Sequence, residues 1–159
     1  MIKIHIADYK NPEQARLLEG CLKNWFRNPK DLNLTSPKTR YPFKFRQWKK
    51  KFYSDSDTLS CVVLNNKLIV GHVSLRFSDD RRRGHIFHLI IAPEYRGQGY
   101  ARKLINYLEN IASELKLEKL TLNVNPGNQT ARQLYDKLGY STEGKSGYKS
   151  ITMQKVLTN

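Results

Sequence analysis

The residues Arg96-Gly97-Gln98-Gly99-Tyr100-Ala101 offer the clearest chemistry in this chain. Gly97 and Gly99 allow a tight turn and let a ligand approach the backbone with no Cβ in the way. A helical pattern starts at once, with Leu104, Ile105, Leu108, Ile111, Ala112 and Leu115 on one face. A turn that opens a helix leaves N–H groups unpaired. Those donors and the helix dipole suit an anion. Arg96, Arg102 and Lys103 add charge for phosphate oxygens. The pattern is neither the P-loop, which needs Lys and Ser/Thr that are absent here, nor GxGxxG. The plainer reading is a helix entry with turn glycines.

The flanking segments must position this turn. Before it runs the apolar stretch Ile86 to Ile91, closed by Pro93, which is expected as a strand. After the helix, residues 119 to 124 are expected as a parallel strand reached through the helical crossover. Asn125-Pro126-Gly127-Asn128 then forms a turn ending in a helix cap. Ala131, Leu134, Tyr135 and Leu138 follow at helical spacing, and Gly139 stops that helix. Residues 140 to 145 and 148 to 156 are expected as a last strand pair joined at Ser146-Gly147.

Upstream, Ile2, Ile4 and Ile6 alternate with Lys3 and His5, which predicts a strand with one buried face and an exposed His5. Asn11 caps a helix that starts at Pro12 and carries Ala15, Leu18, Leu22, Trp25 and Phe26. Residues 27 to 42 are expected as loop, with room for a turn of helix. Residues 43 to 53, FKFRQWKKKFY, form a basic helix on which Phe45, Trp48, Lys49 and Phe52 can share a face. Leu59 to Leu64 and Leu68 to Phe77 are a hairpin turning at Asn65-Asn66. Gly71 inside the second strand marks a bulge or a close backbone approach. Residues 78 to 84 form a charged connection with the cluster Arg81, Arg82 and Arg83. The element order predicts a single-domain α/β fold over residues 1–159, with a mixed sheet and flanking helices.

Composition limits the partners. The chain has 159 residues, 28 Lys+Arg against 14 Asp+Glu, and a formal net charge of +14. That charge attracts polyanions: nucleic acid, a ribosomal surface, an acidic protein face or a phosphate-rich cofactor. Residues 43 to 53 could stack bases and hold phosphates. The preferred reading is that the aromatics pack inward and the lysines are solvated. Cys21 and Cys61 lie in apolar contexts and suit neither a disulfide framework nor a metal cluster. They are expected as core thiols in a reducing compartment. No apolar run can span a bilayer and no signal-peptide core is present, so a cytoplasmic protein is expected.

Two segments together resemble the GNAT superfamily, the acyl-CoA-dependent N-acetyltransferases. One is Ile91-Ala92-Pro93 followed by Arg96 to Ala101. The other is Asn128-Gln129-Thr130-Ala131 followed by Leu134-Tyr135 and Gly139-Tyr140. The likeness is good over residues 58 to 156 and rests on element order before that. It implies a GNAT-like, largely antiparallel sheet. It implies acetyl-CoA with its pyrophosphate on residues 96 to 101, helped by Arg102, and its pantetheine arm along Leu89, Ile90 and Ile91. It implies a bulge near residues 88 to 90 and a V-shaped opening towards the strand at 119 to 124. A backbone N–H near Leu89 or Ile90 would polarise the thioester carbonyl. Asn128 would help hold the pantetheine arm, and Tyr135 would lie near the sulfur and protonate the leaving thiolate. No metal is implied.

The proton acceptor is less well marked. Relatives carry carboxylates where this chain has His85, His88 and Asn123. His88 is the first candidate, His85 the second, and His72 on a neighbouring strand a weaker third. On a regular strand His85 and His88 face opposite sides, and a bulge between them would bring both to the cleft. One of them is expected to carry the acid limb of the pH–rate profile. The leading expectation is direct acetyl transfer from acetyl-CoA to a primary amine on a protein N-terminus, a lysine or a small molecule. The alternatives are a basic nucleic-acid- or ribonucleoprotein-associated module, and a CoA-binding relative without turnover. Monomer and homodimer are both open.

Overall fold

A computed structural model describes residues 1–78, 80, 82–145 and 150–157. Seven strands form one sheet: β1 (Ile2–Ala7), β2 (Thr58–Asn65), β3 (Leu68–Ser78), β4 (Arg83–Ile91), β5 (Lys119–Val124), β6 (Ser141–Lys145) and β7 (Ile151–Val156). Their spatial order is β1-β2-β3-β4-β5-β7-β6. Only β4 and β5 pair in parallel, and every other neighbouring pair is antiparallel. The parallel pair is joined by a helical crossover over Tyr100–Glu114, since a parallel neighbour cannot be reached through a tight hairpin.

The helices are α1 (Pro12–Trp25), α2 (Pro29–Thr35), α3 (Phe45–Phe52), α4 (Tyr100–Glu114) and α5 (Gln129–Lys137). Asn11 caps α1 through its side chain, which accepts from Glu13 N and Gln14 N. The same device starts α2 at Asn28, which accepts from Lys30 N, so residues 29 to 35 are helix where mostly loop is expected. Pro29 at the first helical position costs nothing there, because that N–H has no helical partner.

Adjacent residues of β3 show which helix covers which face. Gly71 faces α4, and a Cβ there would lie 3.2 Å from Leu104 Cδ1. His72 faces the other way, towards Tyr9 and the aromatic residues of α3. α4 buries Leu104, Ile105, Leu108 and Ala112 completely, each leucine or isoleucine contributing ~1.5–3 kcal/mol of burial. On the opposite face Trp48 and Phe26 are 1% exposed, so the aromatics of the basic segment do pack inward. Lys50 and Lys51 stay at the surface. Bases therefore find no stacking platform on Phe45 or Trp48.

Two expectations change. β1 is an edge strand, and Ile2 and Ile6 are 45% and 50% exposed, so the alternating isoleucines do not build a buried face. Only Ala7 is buried in the core and only Ile4 packs half-buried against it. The charged connection after β3 is shorter than expected, since β4 begins at Arg83. Arg81 and the junction at Ser146-Gly147 lie outside the described residues. Cys61 is fully buried and Cys21 half-buried, both as free thiols, and burial pushes Cys61 up to about 12.

Gly71 is both bulge and close approach. The β2–β3 register shifts beside it, and an added Cβ would lie 2.7 Å from Ile91 Cδ1 and 2.8 Å from Val63 Cγ1. Gly71→Ala is therefore expected to lower the unfolding free energy by ~1–3 kcal/mol through overpacking, seen as a lower urea midpoint with an unchanged slope.

Candidate active site

β4 changes character at one residue. His88 has φ 54°, the left-handed region that a side chain rarely adopts. Here two residues, His88 and Leu89, stand opposite Val73 alone, because the register runs from Ser74↔Phe87 to His72↔Ile90. This is the expected bulge. It lies beyond His85 and Phe87, so that His85, Phe87 and His88 all border one cleft.

The strand pair opens at the same place. β4 and β5 are paired from Arg83↔Lys119 to Ile86↔Leu122 and not beyond. From Phe87 onward the β5-facing edge of β4 is open. The resulting cleft of about 520 Å³ is walled by β4, by β5 with one side of α5, and by residues 34 to 38 at the end of α2.

His88 is held from every side. It is 5% exposed, and its ring stacks on Trp48 at 4.0 Å. Nδ1 lies 2.7 Å from Tyr53 Oη and Nε2 lies 3.1 Å from Ser36 Oγ. A hydroxyl chain extends both ways, from Tyr53 to Ser74 and Ser60, and from Ser36 to Thr39. The backbone carbonyl of His88 accepts from His72 Nδ1 at 2.8 Å. A carbonyl can only accept, so His72 is protonated on Nδ1. Its Nε2 then accepts from Tyr9 Oη at 3.0 Å, and Trp48 Nε1 donates to the same oxygen at 3.1 Å. Tyr9, Tyr53, Ser36 and Ser74 were not singled out in the sequence, because their partners are distant in the chain, and Trp48 was expected only as an inward-packing aromatic.

His85 differs. It is half-buried, and its Nδ1 meets Thr121 Oγ1 at 2.9 Å across the parallel pair. Its Nε2 has no hydrogen bond among the described residues. Burial lowers all three histidines: His72 falls to about 4, His88 goes well below its ordinary value, and His85 also goes down. The unpaired charge of Arg76 adds to the shift at His85 and His88. These imidazoles are neutral at pH 7.

The remaining expected residues divide by role. Gly97 and Gly99 have φ 75° and 87°, with open space where a Cβ would stand, so the turn needs their backbone freedom and not their small size. The first helical bond of α4 runs from Lys103 N to Gly99 O, leaving the N–H groups of Tyr100, Ala101 and Arg102 without a helical partner. The Arg96 side chain is engaged elsewhere: Nε donates to Ile91 O at 3.0 Å, and a terminal nitrogen pairs with Asp31 at 3.2 Å. It ties the turn to β4 and α2. Gln98 donates to Glu94 O. Tyr100 is buried, and its hydroxyl accepts from Asn65. Asn128 caps α5 through Oδ1 and also borders the cleft. Tyr135 is 6% exposed and borders the cleft, and burial pushes its hydroxyl well above 10. Asn123 accepts from Thr152. No group of three or more His, Cys, Asp or Glu side chains could hold a metal among the described residues, and no described helix is long and apolar enough to cross a membrane.

The buried histidines couple folding to pH. A histidine depressed to about 4 in the folded chain and near ~6.5 unfolded stabilises fully above ~6.5, and that stability is lost as pH falls towards 4. For His72 the span is on the order of 3 kcal/mol. Unfolding midpoints are expected to drop between pH ~6.5 and ~4.5, with a shallower slope in His72→Gln.

The comparisons with known proteins follow this geometry. Residues 21–140 match the acetyltransferase (GNAT) family model. The uncharacterised N-acetyltransferase YycN of Bacillus subtilis is 34% identical over 79 residues, 48% of this chain and 51% of that protein. The spermidine N(1)-acetyltransferase of Vibrio cholerae is 34% identical over 98 residues, 61% of this chain and 57% of that one. The match thus spans about half the length of these relatives. The crystal structure of spermidine N-acetyltransferase from Vibrio cholerae in complex with CoA and spermine aligns with a TM-score of 0.78 and 23% identity, covering 98% of this chain and 95% of that one. That likeness shows the fold. The family match covers well over half of the sequence, and the chain belongs to the acetyltransferase (GNAT) family.

Proposed function

We propose that this protein is an acetyl-CoA-dependent N-acetyltransferase that passes the acetyl group directly to a primary amine. The observation that carries the reading is the parting of β4 from β5 beyond Ile86 and Leu122, which leaves an open strand edge leading to the glycine turn. Acetyl-CoA would supply the activated acyl group as a thioester. The residues present suit it. The amides of residues 97 to 102 form the anion-accepting head of α4, with Arg102 exposed beside them. Arg96 shapes this turn through Ile91 and Asp31. The free edge at Leu89, Ile90 and Ile91 can accept an extended arm as an added strand. Asn128 keeps its amide nitrogen for that arm while its oxygen caps α5.

The chain's own groups then divide the proton work. The bulge aims a backbone N–H near Leu89 or Ile90 at the place where an oxyanion would develop. Tyr135 holds its proton firmly because of its burial, so its hydroxyl steadies a departing sulfur by donating a hydrogen bond. His88 has both ring nitrogens engaged and shapes the cleft wall. His85 keeps one ring nitrogen free on a neutral imidazole, and takes the role of proton acceptor ahead of His88. Cys61 is inert through burial, which speaks for direct transfer over an acyl-enzyme route.

Calorimetry with acetyl-CoA tests the cofactor: one-to-one binding in the parent protein, lost in the Gly97→Val, Gly99→Val double variant, is the expected result. Absence of binding in the parent would refute the reading. In steady-state assays of CoA release, Tyr135→Phe and His85→Ala are each expected to lower kcat by ~10²-fold. His85→Ala should also remove the acid limb of the pH–rate profile, which then lies below pH ~6.5 in the parent. His88→Ala is expected to act mainly on stability.

A further inference from the structure

The end of the cleft far from the glycine turn carries a cation with no ion-pair partner among the described residues. Arg76 stands opposite His85 in the β3–β4 register, at the start of β4. It is half-buried and borders the cleft, and its guanidinium lies 4.7 Å over the ring of Phe87. No Asp or Glu forms an ion pair with it among the described residues. The described cleft wall holds no carboxylate, and its other Lys or Arg is Lys38. From His85 to the turn after Ile91 the strand runs on the order of 15–20 Å, so Arg76 is well removed from the phosphate-binding amides. Lys38 and Phe52 also border a second groove, of about 230 Å³, whose other cations are Arg40, Lys44 and Lys51. The cleft mouth is thus positive on this side.

A half-buried guanidinium loses hydration that only a partner can return. Its planar fork is shaped for two oxygens of a carboxylate or phosphate. A polycationic amine placed here would meet Arg76 and Lys38 with no carboxylate to receive it.

We infer that the amine acceptor carries a carboxylate or phosphate close to its amino group, and that Arg76 binds that anion and selects for it. The inference rests on the acetyltransferase reading and deepens it by naming the acceptor class. His85 is lowered first by its burial and then by the nearby Arg76 charge.

The test is a panel of primary amines read by free CoA, with acetyl-CoA binding measured by calorimetry on every variant. One arm holds amino acids, peptides beginning with Asp or Glu, and each compound's carboxamide counterpart. A second holds amines bearing a phosphate, and a third holds polyamines. The parent protein is expected to prefer an anionic acceptor over its neutral counterpart by ~10-fold or more in kcat/KM, with the first two arms distinguishing carboxylate from phosphate. Arg76→Gln should bring that ratio near one, and Arg76→Lys should keep part of it. Acetyl-CoA binding together with turnover confined to polyamines, no turnover of either anionic arm, or a ratio unchanged in Arg76→Gln would each overturn the inference and leave the acetyltransferase reading standing. Loss of acetyl-CoA binding in the parent would instead strike the reading beneath it.

Discussion

The conformation of His88 is the constraint on which the site depends. A left-handed residue inside a strand costs ~1–2 kcal/mol and persists only where its surroundings over-determine it. Here they do. Trp48 stacks on the ring, Tyr53 and Ser36 hold its two nitrogens, and His72 holds its carbonyl. The bulge this creates swings β4 away from β5 just past Ile86. Three elements far apart in sequence, the end of α2, the end of α3 and the middle of β3, converge on that one residue. The cleft is therefore a product of packing on the α3 face, while α4 on the other face keeps the glycine turn in line with the open edge.

The same packing sets the electrostatics. Burial among Trp48, Tyr53 and Tyr9 keeps His72 and His88 neutral, so they serve as hydrogen-bonding parts of the wall. Neutral imidazoles with fixed partners rigidify a strand without adding a buried charge. The charge that remains in the cleft is positive, from Arg76 and Lys38, in a protein already carrying a net +14. On the proposed reading, that polarity suits an anionic acceptor better than a polyamine. It also gives the strong basic character a local meaning that does not call for base stacking, since Phe45 and Trp48 are turned inward.

Local pattern was enough for much of the fold. Helical spacing marked α1, α4 and α5, and alternating apolar runs between turn residues marked β2 to β5. The glycine turn was legible because left-handed backbone needs residues of that kind, and Gly97 and Gly99 adopt it. The end of Asn128 as a cap was legible for a similar local reason. The edge position of β1 was not, because alternation tells which residues share a side and not whether anything covers that side. The short helix α2 was expected as no more than a turn, because the prolines and polar residues of residues 27 to 42 suit loops as well as helix starts.

The site shows the same division. From the sequence came the likeness to the family, the glycine turn, and the choice of His85, His88, Asn128 and Tyr135, which the structure brings to one cleft. The turn and the Asn128 cap depend on residue type and on spacing within a few turns of chain, whereas the grouping of the other residues came from the resemblance to the family. Folding is what occupies both nitrogens of His88, ties Arg96 to Ile91 and Asp31, and, among the described residues, leaves one nitrogen of His85 free and Arg76 at the cleft without an ion pair. The partners of His88, and Asp31 for Arg96, lie tens of residues away. Burial and hydrogen bonding between such distant residues, and not local propensity, set which groups are charged, which are engaged and which are left to act.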